Sequence, residues 1–342
     1  MPILRGGKQP VRAITFNPKG KLLVGTKEGT LRLHNEYHTA ENTTTTPSRQ
    51  PRDVEYQGAN KGDVTQVKFN PCCSHQFACI TSKGCLRIFD TKQTTYTGGA
   101  PTTQLNVNDL YLKCFDWCPT GHRMAVVDSK NNITIYQIDG THPTNIGEVT
   151  SSSKLTLKER VSFPVEITDL MWDRKGKTLY IASENGRIYY VREDEKIATY
   201  VSKVFNPMID ENIREPYILV GRSAITCLDI SHDDKYLIVG SEDSAVSVFE
   251  IQDLICVHNF SDIGSLVTTV SVRLLQGKYL ILFSTRNDEK KVTGIFLMNL
   301  NDGKMLFKTE RDGISKAILH PSMNYIAFCQ DSSPYDVIVE GF

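Results

Sequence analysis

The chain has 342 residues, 39 Lys plus Arg against 39 Asp plus Glu, and therefore a formal net charge of zero at pH 7. A balanced charge supplies no global field to draw the chain to nucleic acid or to an anionic membrane. Met1 to Pro10 holds no apolar run of signal-peptide length, nothing later approaches about 18 consecutive apolar residues, and the nine cysteines are odd in number without paired spacing, so a soluble, unexported protein with reduced thiols in the cytosol or nucleus is expected.

The first element is short. Pro2-Ile3-Leu4-Arg5-Gly6 looks like an outer strand without its own sheet. One apolar pattern then occurs seven times: an aliphatic residue, a second at +3, a third at +5, and often Pro at +7. The occurrences are Val11-Ile14-Phe16, Val64-Val67-Phe69, Leu112-Phe115-Trp117, Ile167-Leu170-Trp172, Ile225-Leu228-Ile230, Val267-Val270-Val272 and Ile314-Ala317-Leu319, at intervals of 42 to 58 residues. Positions +3 and +5 share one face of an extended strand. After a turn comes a nearly continuous apolar run, such as Leu22-Leu23-Val24 or Leu237-Ile238-Val239, as in strands buried on both faces. A polar turn, a third alternating strand and a weaker fourth strand, such as Ile255 to Phe260 or Lys304 to Lys308, complete each unit. Four antiparallel strands per repeat make a propeller blade. The seventh unit reaches Phe342 on its third strand, so the amino-terminal strand is expected to complete it and remove an exposed edge.

The Gly-Lys turns, the Ser-x-Asp-like turns and the strands ending Phe89-Asp90 or Ile138-Asp139 resemble WD40 repeats over all seven units. No unit keeps a Gly-His pair, and Trp-Asp occurs only as Trp172-Asp173, in the wrong place. The expected fold is all-β: one seven-bladed WD40-type propeller spanning residues 1–342. The resemblance puts the strand two to three turns and the inter-blade loops on one face, and the other loops opposite. The longest insertions, Glu36 to Arg52, Thr91 to Thr103, Gly140 to Ser153 and Arg192 to Glu215, follow the third strand in the first four blades. All would leave the same face along one arc, either as a docking arc or as loop growth that costs little closure entropy. Candidate contacts are Lys27, Glu28, Lys83, Glu184, Glu242 and Asp243 on the strand two to three turns, with Tyr200, Phe205 and Ile213 in the fourth insertion. The apolar stretch around Tyr200 either packs on its blade or meets a partner.

No phosphate loop, nucleophile elbow or His-Glu-x-x-His pattern occurs. Cys72-Cys73-x-His75 with Cys79 and Cys85 offers soft ligands, but Cys79 stands where Val24 and Val239 stand in other repeats, and Cys85 where Thr30 does. Cys114 and Cys227 replace Ala13 as small buried hydrophobes. Asp116, Asp169 and Asp229 recur in the first strands of three blades and read as backbone-bonding or exposed. Neither catalysis, a cofactor nor a metal is expected.

Gln252-Asp253-Leu254-Ile255-Cys256-Val257-His258-Asn259-Phe260-Ser261, followed by Val267-Thr268-Thr269-Val270, resembles the blade five to six passage of the WD40 subunit of the THO (transcription–export, TREX) complex, in its fungal form. Trp117-Cys118-Pro119-Thr120-Gly121, Asn132-Ile133-Thr134-Ile135-Tyr136 and Ile167 to Trp172 add to the likeness. That resemblance implies a nuclear scaffold coupling transcription elongation to mRNA packaging and export. Its implied partners are large helical subunits and a DEAD-box RNA helicase, with RNA met only indirectly, no membrane, and no homo-oligomer formed by the chain itself. The alternative is a WD40 adaptor in another complex, such as a ubiquitin-ligase substrate receptor.

Overall fold

In the computed structural model, the residues described are 3–4, 9–34, 54–57, 62–93, 99–106, 110–139, 154–205, 217–261, 263–287, 292–312, 314–330 and 336–342. They form seven four-stranded antiparallel sheets. The first strands are Val11–Phe16, Val64–Asn70, Leu112–Trp117, Ile167–Trp172, Ile225–Ile230, Leu266–Leu275 and Ile314–Leu319. Six blades then run through consecutive strands to an outer fourth strand, which in blade 5 is Ile255–Phe260. In the seventh, Ile3–Leu4 pairs with Val337–Gly341 in the order of a fourth strand, with Ile3 opposite Ile338. The amino-terminal closure is thus present.

Every first strand carries a register shift between its repeat position and the residue two further on: Val11/Ala13, Val64/Gln66, Leu112/Cys114, Ile167/Asp169, Ile225/Cys227, Val267/Thr269 and Ile314/Lys316. One extra residue in a strand turns the following side chains by one face. This bulge is why an interval of three followed by an interval of two marks a single apolar row.

The core is a ring of seams. Seven apolar clusters each draw residues from two adjacent blades. Leu23 packs with Val64, Val67 and Phe77 between blades 1 and 2, while its neighbours Leu22 and Val24 pack with Ala327 and Val339 between blades 7 and 1. A second strand flanked by two seams has no solvent face, which accounts for its unbroken apolar run.

Candidate interaction surfaces

In blades 1, 3, 4 and 5 the turn between strands two and three is held by the last residue of strand two. Thr26 Oγ1 donates to Thr30 O (3.2 Å), Ser183 Oγ donates to Arg187 O (2.7 Å), Ser241 Oγ donates to Ala245 O (3.1 Å), and the Asp128 carboxylate accepts from the N–H of Lys130 and Asn132. The fourth turn position is left-handed in Gly29, Gly84, Asn131, Gly186 and Ser244. At Gly186, φ is +73° and an added Cβ would lie 2.3 Å from Gly221 O, so only glycine fits.

These turns are tied to the inter-blade loops. The N–H groups of Lys27, Ser82, Ser129, Glu184 and Glu242 donate to the carbonyls of Pro10, Asp63, Tyr111, Glu166 and Ala224 at 2.9 to 3.1 Å. One face therefore carries both kinds of loop on a stiff frame. Lys27, Glu28, Lys83, Glu184, Glu242 and Asp243 are all exposed on it, the Asp243 carboxylate also accepting from Ser241 Oγ. Lys130, exposed in the equivalent turn of blade 3, belongs with them; the Asp128-Ser129-Lys130-Asn131 string was its signal.

Tyr200 and Phe205 require a correction. Ile197–Phe205 is a helix laid over the seam between blades 3 and 4, so of the two readings open to this stretch it packs on the propeller. Tyr200 is 4% exposed, and its hydroxyl accepts from the Tyr190 N–H (3.2 Å). Phe205 is half-buried edge-on to Phe163, with ring centroids 5.3 Å apart. Both fasten the helix, because aromatic area so placed is worth more in the seam than in water. Ile213 lies outside the described residues, as do the insertions at 36–52 and 140–153 and parts of the other two.

Side-chain oxygens of the first strands form a staircase from blade to blade. Gln66 Oε1 accepts from the Phe115 N–H (2.9 Å), Asp116 Oδ2 from Trp172 (2.9 Å), Asp169 Oδ2 from Leu228 (3.1 Å) and Asp229 Oδ2 from Val272 (2.7 Å). The acceptor alternates between repeat positions +2 and +4. Asp116 Oδ1 also pairs with Lys68 Nζ (2.8 Å), and Asp229 with Arg174 (3.1 Å). Burial works against the Lys68 charge, yet Asp116 and Asp169 outweigh it and hold its pKa above the ordinary lysine value. Burial raises Asp169 and Asp229 against the pull of Lys68 and Arg174 respectively. These groups bond backbone, as expected for Asp116, Asp169 and Asp229; the blade-to-blade pairing was not anticipated.

Cys79 and Cys85 are fully buried, Cys79 in the apolar seam between blades 1 and 2 and Cys85 beside the Arg87 guanidinium, and burial pushes the Cys79 thiol up to about 12. Cys114 and Cys227 are buried in the seams as Ala13 is. Among the described residues no three His, Cys, Asp or Glu side chains converge as a metal ion requires, and no helix is long and apolar enough to cross a membrane.

Comparison with known proteins adds lineage to this geometry. A family model described as the NUP159/214 beta propeller matches residues 17–220, more than half of the chain. The chain belongs to that family. A second model, WD domain, G-beta repeat, matches residues 214–250. The chain is also similar to THO complex subunit 3 of Arabidopsis thaliana, with 22% identity over 330 residues that cover 96% of this chain and 88% of the relative. The resemblance read from the blade five to six passage is thereby borne out, whereas the NUP159/214 match was not foreseen. WD repeat-containing protein AAC3 of Dictyostelium discoideum is 22% identical over 60% of this chain and 37% of its own length. Among solved structures, the Myceliophteria thermophila Cps50 (Swd1) beta-propeller domain superposes with a TM-score of 0.69 at 15% identity, covering 99% of both chains. That likeness establishes the propeller fold alone.

Proposed function

We propose that the chain, one propeller unit over residues 1–342, is a non-catalytic scaffold subunit of a nuclear THO-type assembly that couples transcription elongation to mRNA packaging and export. The observation carrying this reading is the similarity to THO complex subunit 3 along 96% of this chain and 88% of the relative. End-to-end similarity of this kind aligns whole propellers rather than one borrowed repeat. Physically, the scaffold works through its stiff turn face, where Lys27, Glu28, Lys83, Glu184, Glu242 and Asp243 meet large helical subunits beside a DEAD-box helicase. A backbone already held by hydrogen-bonded turns needs no loop ordering on docking, so more of the contact energy appears as affinity. A contact of roughly 800 Å² per side would be stable.

Affinity purification of the tagged chain from nuclear extract, with mass spectrometry of stoichiometric partners, tests the assignment. Recovery of THO subunits and a DEAD-box helicase is the expected result. Recovery of cullin-linked components instead would transfer the chain to the ligase-adaptor class, and recovery of the chain alone would remove the scaffold reading.

A further inference from the structure

A propeller closes its ring of blades and still leaves an outer strand on each of its seven sheets, with one row of backbone groups turned to solvent. An unpaired row of this kind templates the addition of another strand, and sheets protect it by shortness or by charge. The outer strands of blades 1, 2, 4 and 7 are only two to four residues long. Those of blades 3 and 6 are longer but charged: Lys154–Ser162 carries Lys154, Lys158, Glu159 and Arg160, and Met305–Asp312 carries Lys308, Glu310, Arg311 and Asp312. Blade 5 has neither protection. Its outer strand Ile255–Phe260 runs six residues without Asp, Glu, Lys, Arg or Pro. Ile255 is 59% and Val257 38% exposed, and Cys256, His258 and Asn259 are exposed beside them. Phe260 alone of this strand reaches the seam between blades 5 and 6, and His258 stacks on it with ring centroids 5.9 Å apart. The bulge at Val257 recurs in the outer strands of blades 3 and 6, so the missing charge is what sets this edge apart. The turn entering the strand carries Asp253, exposed and without an ion pair among the described residues.

We propose that this edge receives an extended strand of a partner protein, added to blade 5 as a fifth strand. The outward N–H and C=O groups specify extended backbone, because a strand supplies acceptors and donors at the matching spacing. The side chains specify composition: an uncharged stretch opposite Ile255–Phe260, with β-branched or other apolar side chains packing on Ile255 and Val257, and a Lys or Arg beyond it to meet Asp253. A second copy of this chain is the poorer occupant, since residues 250–265 bring no Lys or Arg to that carboxylate. The edge lies on the rim of the disc rather than on the turn face, and the inference stands apart from the assignment to a THO-type assembly.

The test uses the isolated full chain, so its failure leaves that assignment untouched. Fluorescence anisotropy is read with a labelled peptide of alternating Val and Thr flanked by Lys at both ends, against the same peptide with proline at its centre, which cannot donate to the ladder. The alternating peptide is expected to bind roughly tenfold more tightly or better, the contribution of one or two backbone hydrogen bonds, and to slow hydrogen exchange at the amides of Ile255–Phe260. Ile255→Lys/Val257→Lys puts charge on side chains already exposed and should abolish the preference with an unchanged melting temperature. Should the double variant melt early, Val257→Lys alone decides the matter. Equal affinity for the two peptides, binding indifferent to these substitutions, or exchange that slows elsewhere and not at 255–260 would overturn the proposal. A chain that dimerises in light scattering and loses the dimer on Val257→Lys would also overturn it, because the edge would then belong to a second copy.

Discussion

Replacing Asp116 with alanine removes two contacts that no other side chain supplies at that step of the staircase. Oδ2 accepts the Trp172 N–H of blade 4 at 2.9 Å, and Oδ1 pairs with Lys68 of blade 2 at 2.8 Å. A buried N–H left without an acceptor costs about 1–3 kcal/mol. The ion pair adds less than a fully enclosed one would, since Lys68 is 28% and Asp116 14% exposed; about 1 kcal/mol is the appropriate share. Asp116→Ala is therefore expected to destabilise the fold by about 2–4 kcal/mol, or roughly 3–6 °C in melting temperature for a domain of this size. Asp116→Asn keeps an acceptor for Trp172 and loses only the charge, so about 1 kcal/mol is expected. Urea titrations of the three proteins, with hydrogen exchange at the Trp172 amide, read both effects. An alanine variant within about 0.5 kcal/mol of the parent would show that neither contact stabilises the fold.

Further expectations rest on single positions. Gly186→Ala places a Cβ 2.3 Å from Gly221 O at a φ of +73° and should cost more than about 1 kcal/mol, measured by thermal melting. His320 is 1% exposed, its Nδ1 accepts the N–H groups of Ser322 (3.1 Å) and Met323 (3.0 Å), and burial, helped by Arg273, pulls its pKa from 6.5 down to about 4. The unfolded chain takes up this proton first, so the stability is fully present above pH 6.5 and declines as pH falls towards 4. The displacement corresponds to about 3 kcal/mol. His320→Asn installs the residue that Asn17 and Asn70 supply at the same turn position, and should abolish this acid-dependent loss in denaturant titrations at pH 7, 5.5 and 4.5. Deleting residues 1–8 uncovers the edge of Val337–Gly341 and should produce self-association by light scattering, as bare strand edges do.

What could be read from the sequence, and what could not, follows from the range of the interactions. The blade count was legible because +3 and +5 report one strand's own alternation, and the bulge that brings position 0 into line recurs in every blade. The helix Ile197–Phe205 was legible too: Ile197, Tyr200, Val201 and Val204 stand at i, i+3, i+4 and i+7, a helical period that the surrounding insertion obscured. The staircase was not legible. Its acceptors alternate between two repeat positions, and each donor belongs to another blade 43 to 59 residues away.

The claim that a stiff, charged turn face holds the partners is tested most directly by reversing charges on that face. Lys27→Glu, Lys83→Glu, Glu184→Lys and Glu242→Lys together alter only exposed side chains, so the melting temperature should stay within a few degrees of the parent, about what surface substitutions cost. In parallel affinity purifications from nuclear extract, partner recovery is predicted to fall by roughly tenfold or more. Undiminished recovery by a normally folded variant would contradict the account and move the interface to another part of the propeller.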